Sequence, residues 1–277
     1  MNKKLKLMKV LSILFVLLCL IVSMFPIYWM LNTSLKGQAE IYSKIPSMIP
    51  RKISFDNYMY LYQETPFLGA LKNSFLVALC TSIFSIFVAY PASYAVSRVK
   101  FRGRNMMTKS ILYTYLIPTS VLYIPLFMLV SKMGLTNSIW GLMLIYPTFT
   151  LPYVAWMLIP HVSSIPVEIE EAAKVDGCNR LGSMYRIVFP LTLPGIISTF
   201  IFAFSMCWGE YLYALVNVSD TAMKTFPLVI SGLIYGDIYP WGQIMAGAIT
   251  ACVPILIVYM LASNFLVGGV TSGGVKQ

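Results

Sequence analysis

Six long stretches of this chain carry no Lys, Arg, Asp or Glu, at 10–35, 73–97, 110–131, 133–160, 187–209 and 238–275. Each is long enough to supply the roughly 20 apolar residues that a helix needs to cross a bilayer core of about 30 Å. Inside lipid every backbone N–H and C=O must be bonded within the segment, which leaves the helix as the form such a run takes. The pattern predicts spans at about 10–32, 73–97, 110–131, 138–160, 191–216 and 243–267, the fifth continuing past Glu210. The expected fold class is therefore all-α: a polytopic integral membrane protein with six transmembrane helices in one domain, 1–277. A further uncharged stretch, 225–236, is too short to span and reads as re-entrant or interfacial. The Gly-rich end, 268–277, is expected to leave the helix, because glycine is a poor helix former. Prolines recur inside the runs, among them Pro118, Pro147, Pro152 and Pro194, and each favours a kink by removing a helix hydrogen bond.

Composition agrees with burial in lipid. Hydrophobic residues make up 58% and charged residues 11% of the 277 residues, against roughly 25% charged in soluble domains. A net charge of +10 would suggest nucleic acid in a soluble protein. Here the cations fall on alternate loops, so no nucleic-acid partner is expected. Lys3, Lys4, Lys6 and Lys9, then Arg98, Lys100, Arg102, Arg104 and Lys109, then Lys174, Arg180 and Arg186, then Lys276 lie on one side of the six-span map. The positive-inside rule makes that side cytoplasmic, with both termini inside. The segment 36–72, also cation-bearing, then lies outside. The first run is too long for a signal-peptide core and no small-residue cleavage site follows it, so a retained helix is expected. The five cysteines show neither disulfide nor metal spacing, and no metal site is expected.

The inner loop 161–190 carries the densest local information. Pro166 suits a helix's first turn, and Glu168 and Glu170 follow where the helix dipole favours acids. Glu170 and Lys174 stand at i and i+4. Gly177 is placed to end the helix in the left-handed conformation. Ile169, Ala172 and Ala173 are expected to share a face, with Glu170 and Lys174 turned away from it. A helix this short is not stable alone and has to dock on something.

Glu171-Ala172-Ala173, three residues, Gly177, nine residues, then Ile187-Val188-Phe189-Pro190 resembles the EAA loop of ABC-importer permeases at every spacing, with Phe189 where that family favours Leu. The likeness extends to Asn32-Thr-Ser-Leu-Lys36, Phe55-Asp-Asn-Tyr58, Trp208-Gly-Glu210 and the tail from Gly268 to Lys276. The chain is similar to the second permease subunit of maltose-type carbohydrate importers. The resemblance implies a type I ABC importer permease fold that does no covalent chemistry, with no catalytic residues and no cofactor of its own. ATP would be bound and hydrolysed by two separate ATP-binding cassette subunits; no GxxxxGK[ST] phosphate loop occurs in this chain. The other implied partners are a second, homologous permease subunit, an extracellular or periplasmic sugar-binding protein and the lipid bilayer.

The same resemblance assigns ATPase coupling to Glu168, Glu170, Glu171, Ala172, Ala173, Asp176 and Gly177. It also implies that the tail, through Gly273, Gly274 and Lys276, contacts the ATPase pair. Glu210 is the one formal charge inside an expected span, where insertion costs roughly 2.5–3.5 kcal/mol. With Trp208 and Tyr211 it forms a candidate pathway or interface group. The rival readings are an ABC permease for another solute, a secondary transporter and an intramembrane enzyme. The last lacks the paired acids or Ser-His groups it would need.

Overall fold

The computed structural model describes residues 3–273, and among these helices dominate; the one β feature is an isolated bridge between Tyr235 and Ile238. In chain order the helices are α1 (Lys3–Ser34), α2 (Gln38–Ile41), α3 (Asp56–Gln63), α4 (Phe67–Arg98), α5 (Arg104–Leu116), α6 (Tyr123–Lys132), α7 (Ile139–Ile145), α8 (Pro147–Ser163), α9 (Val167–Val175), α10 (Arg180–Gly182), α11 (Phe189–Trp208), α12 (Leu212–Asn217), α13 (Phe226–Gly232) and α14 (Trp241–Gly273). A π turn, Ser183–Val188, joins α10 to α11. The chain divides into two units, one formed by Met1–Leu68 and Val229–Val253, the other by Gly69–Leu228 and Pro254–Gln277.

Four helices are long and apolar enough to cross a membrane, and two bent pairs bring the total to six if each pair is one span. The bends depart from the straight spans that the charge-free runs predict. The third expected span is α5 followed by the segment Thr119–Lys132, at 86° to each other. Pro118 causes the turn: the residue before a proline is driven out of the α region, and Ile117 is extended at φ −65, ψ 126. The fourth is α7 and α8 bent by 41°, with Pro147 opening the second piece. The fifth is broken at Gly209–Tyr211, between α11 and α12. Pro91, Pro194 and Pro254, by contrast, sit inside continuous helices.

The glycines after residue 267 do not end the sixth helix as expected; α14 continues to Gly273. Extending a long helix that already exists adds one hydrogen bond per residue fixed, which offsets much of the roughly 1 kcal/mol penalty of a glycine.

In the first unit, the Asn57 amide donates to the carbonyls of Ser34 (2.9 Å) and Lys36 (2.8 Å), tying α3 to the end of α1. Tyr62 and Thr250 share a hydroxyl hydrogen bond of 2.7 Å, which holds α14 to α3. Along 8–28 every residue of α1 is exposed. So much apolar surface requires a lipid or protein cover.

The second unit is built on a stripe of small residues along α4. Ala78, Ser82, Ser85, Ala89 and Ser93 are all buried and recur at three- or four-residue spacing, so they share a face on which another helix can approach closely. That helix is α8. Ser85 meets Thr150 at 2.7 Å, and the Ser93 hydroxyl donates to the Ala155 carbonyl at 3.1 Å. Tyr90, Leu158, Val162, Met184 and Val188 complete the apolar core beside this seam.

Candidate functional site

Helix α9 is the inner loop's helix, and its ends are built as its sequence suggests. Pro166 precedes it with ψ 136, outside the helical region. At the other end Gly177 adopts φ 85. The Gly177 N–H donates to the Lys174 carbonyl at 3.0 Å and the Cys178 N–H to the Ala173 carbonyl at 2.9 Å. These two bonds form a Schellman motif. A left-handed conformation there is strained for any residue with a Cβ.

The faces of α9 differ from the expected ones. Glu170 is 3% and Ala173 6% exposed, and these two, at i and i+3, face the helix's own bundle. Glu168, Ile169, Glu171, Ala172, Lys174, Val175 and Asp176 are exposed. Ala173 is thus separated from Ile169 and Ala172, and the free face of α9 is mixed acidic and apolar.

Glu170 turns inward because a cation waits for it. Arg98, the last residue of α4, places Nε 2.7 Å from Glu170 Oε1. Tyr94 donates its hydroxyl to Oε2 at 2.6 Å, and Ser183 does so at 3.3 Å. The Arg98 guanidinium also donates to the carbonyl of Val162 at 2.9 Å and to that of Ile165. One arginine therefore binds the end of α4, the end of α8 and the side of α9. A carboxylate and a guanidinium buried together are sustained by such an ion pair and by the hydrogen bonds that surround it. Arg98, Tyr94 and Ser183 escape sequence reasoning as site residues. Their only signal is a cation and hydroxyls at the inner ends of predicted helices.

The second group lies beyond α11. Glu210 is half-buried in the break. It accepts from the N–H groups of Tyr213 (2.8 Å) and Ala214 (3.1 Å) and from the Tyr146 hydroxyl (2.9 Å). An acid is favoured at this end of a helix, where N–H groups point outward without partners. Tyr146 occupies the bend between α7 and α8, and Tyr213 donates its hydroxyl to the Thr119 carbonyl, beside the bend that follows α5. The discontinuities of the expected fourth and fifth spans therefore meet at the Glu210 carboxylate, and Tyr213 ties that of the third span to them. Aromatic rings pack them: Tyr213 lies 4.4 Å from Tyr123, edge to face, and 5.6 Å from Phe149, stacked, between ring centroids. Trp208 is buried, 4% exposed, between Phe204 and Phe226, and Tyr211 is half-buried.

The sequence-predicted residues thus form two groups on separate elements, Glu168–Gly177 in and beside α9 and Trp208, Glu210 and Tyr211 at the break. Gly273 is the last residue of α14, while Gly274 and Lys276 lie outside the described residues.

A family model described as the binding-protein-dependent transport system inner membrane component matches residues 82–271. The chain is 35% identical over 258 residues to the sulfoquinovosyl glycerol transport system permease protein SmoH of Agrobacterium fabrum, covering 93% of this chain and 90% of that one. It is 33% identical over 254 residues to the diacetylchitobiose uptake system permease protein DasC of Streptomyces coelicolor, covering 91% of each. Its fold matches the crystal structure of a bacterial ABC transporter involved in the import of the acidic polysaccharide alginate. The TM-score is 0.78 at 18% identity, over 96% of this chain and 99% of that chain.

Proposed function

The chain belongs to the family of binding-protein-dependent transport system inner membrane components, and from that premise we propose that it forms one half of the translocation pathway of an ATP-driven sugar importer. It has the type I permease fold and is a membrane-embedded transport permease. Sugars are the substrate class because relatives that match nearly its whole length are named for sulfoquinovosyl glycerol and diacetylchitobiose transport. The assembly comprises a second permease subunit, two cytoplasmic ATPase subunits and an external sugar-binding protein. ATP is bound and hydrolysed on the ATPase subunits, the N-terminus lies inside, and this chain contributes no catalytic residue and no cofactor.

The observation that carries the coupling role is α9 itself: a short helix that follows Pro166 and is capped at its C-terminus by the Gly177 turn, locked from behind by Arg98 and offering a free face of Glu168, Ile169, Glu171, Ala172 and Asp176. That face meets the ATPase subunit. Glu171 accepts charged hydrogen bonds there, and Ala172 lets the two surfaces approach. Glu170 and Ala173 hold the helix to the bundle, so that a push on α9 moves α4 and α8 with it. ATP acts by favouring one arrangement of the permease pair over the other.

The test is Gly177→Asp in the reconstituted importer. The left-handed turn and the added anion at a helix C-terminus both oppose the native end of α9. ATP hydrolysis should persist while sugar uptake is lost. Normal uptake by this variant would remove the coupling assignment. A panel of mono- and oligosaccharides offered with the cognate binding protein tests the substrate class; failure to take up any of them would remove sugars.

A further inference from the structure

The first unit holds a half-open cavity that coupling does not use. Its volume is about 310 Å³, and Trp29, Thr33, Lys36, Glu40 and Trp241 are among its walls. That volume lies within the range of pockets that take small molecules. Trp29 and Thr33 come from the last turns of α1, Glu40 from α2, and Trp241 opens α14.

The polar groups are held in place before any ligand arrives. Lys36 is 3% exposed; its ammonium lies 5.1 Å from the centroid of the Trp29 ring and donates to the Ser47 carbonyl at 2.5 Å. Glu40 accepts from the Ser47 hydroxyl at 2.5 Å and from the Arg51 N–H at 3.0 Å. Both bonds fall on Oε1, so Oε2 remains an acceptor for a ligand. The Ser47 bond holds the Glu40 carboxyl below the usual carboxylate range. Phe25 stacks on Trp29 with ring centroids 6.0 Å apart, making that indole a fixed wall. Trp241 differs: Tyr239 covers one face, at 5.6 Å and 14°, and the residue is still 41% exposed. An aromatic plate with one open, electron-rich face, an anionic acceptor and a buried cationic donor suit a ring that has a C–H face and a rim of hydroxyls. The formal charges of Lys36 and Glu40 cancel, and a ligand carboxylate would stand near Glu40.

We propose that this cavity is a binding subsite for one neutral pyranose ring, stacked on the open face of Trp241 with its hydroxyls held by Glu40 Oε2 and Lys36 Nζ. The proposal rests on the sugar-importer reading and adds that this subunit touches the sugar itself. Preset side chains reduce the ordering that binding would otherwise require.

Saturation-transfer NMR on the purified importer, without its binding protein, reads the contact directly, with maltose as the neutral probe and glucuronate as the charged one. Transfer to the maltose ring protons is expected. The apparent affinity should fall by about fivefold to tenfold in Trp241→Ala, the scale of one lost aromatic contact, stay close to wild type in Trp241→Phe, and weaken in Glu40→Gln. Glucuronate should bind less well than maltose. Equal transfer in wild type and Trp241→Ala, or a preference for glucuronate, overturns the proposal. Should Trp241→Ala fail to assemble with its ATPase partners, unchanged maltose binding in Glu40→Gln overturns it instead. ATP-driven uptake separates this from the broader reading: an importer that moves sugar with no Trp241-dependent transfer loses the subsite and keeps the function, while Trp241-dependent transfer without uptake of any sugar does the reverse.

Discussion

Glu170 and Glu210 are both drawn into the same unit, and they are satisfied in opposite ways. Glu170 takes its charge partner from far along the chain: Arg98 ends α4, and the Tyr94 and Ser183 hydroxyls complete the shell. Glu210 uses N–H groups from the turn that follows it, with Tyr146 as the distant contribution. The first arrangement is a fastening between elements, since every bond it makes joins α9 to something else. The second is a device for breaking a helix, since a carboxylate can replace the backbone acceptors that the next turn lacks. An acid in this setting need not mark a substrate contact or an ion pair; a helix terminus can hold it.

The difference predicts unequal responses to losing a partner. Arg98→Met leaves a carboxylate that is 4% exposed without its cation, and breaking a buried pair in this way costs about 3–5 kcal/mol. It should produce the largest fall in the thermal midpoint of the detergent-purified importer. Adding Glu170→Met should restore most of the loss, because replacing both members with apolar groups is often close to neutral. If the double variant is as unstable as Arg98→Met alone, Glu170 is not the group that Arg98 neutralises.

At Glu210 no single side-chain substitution can strand the charge, because the Tyr213 and Ala214 main-chain N–H groups remain as donors even when the Tyr146 hydroxyl is removed. The effective break is removal of the acid itself. Glu210→Ala should cost about 2–3 kcal/mol, the scale of orphaning buried N–H groups. Glu210→Gln should cost clearly less, since its carbonyl oxygen still accepts. Stability equal to wild type in Glu210→Ala would mean that α12 starts without a cap.

These contrasts also show what could be read from the chain alone. The ends of α9 were legible because Pro166 and Gly177 act through their own backbone preferences. The inward turn of Glu170 was not: the spacing to Lys174 offered a plausible local pair, and the choice of Arg98 depends on how α4 packs against α8. Glu210 stood out as a charge within an apolar run, yet the break that explains it left only Gly209 as a signal. Prolines were ambiguous for a related reason. Pro118 and Pro147 accompany bends, while Pro91, Pro194 and Pro254 are absorbed into helices, and neighbouring elements decide between the outcomes. The cavity beside Trp241 was invisible because α1, α2 and α14 bring its walls from both ends of the chain.

The smallest expected effects sharpen the comparison most. Tyr94→Phe and Tyr146→Phe each remove one hydroxyl from one carboxylate, a loss of about 1.5 kcal/mol at the lower end of bonds to charged groups. Tyr94→Phe should be the more costly, because its bond is 2.6 Å against 2.9 Å and short bonds to an anion are the stronger ones. Their behaviour in the Arg98→Met background should then diverge. Tyr94 and Arg98 serve the same carboxylate, so Tyr94→Phe should cost more there than in the wild type, as expected for sites that share a partner. Tyr146→Phe should cost the same in both backgrounds. Ser183 lies before α11 and Glu210 after it, and a helix of 20 residues is about 30 Å long, too far for the two carboxylates' partners to couple through direct contact. Thermal midpoints of the two double variants measure this. An excess loss in Arg98→Met with Tyr146→Phe would mean that α11 transmits strain between its ends, so that the fastening of α9 and the break at Glu210 act as one device.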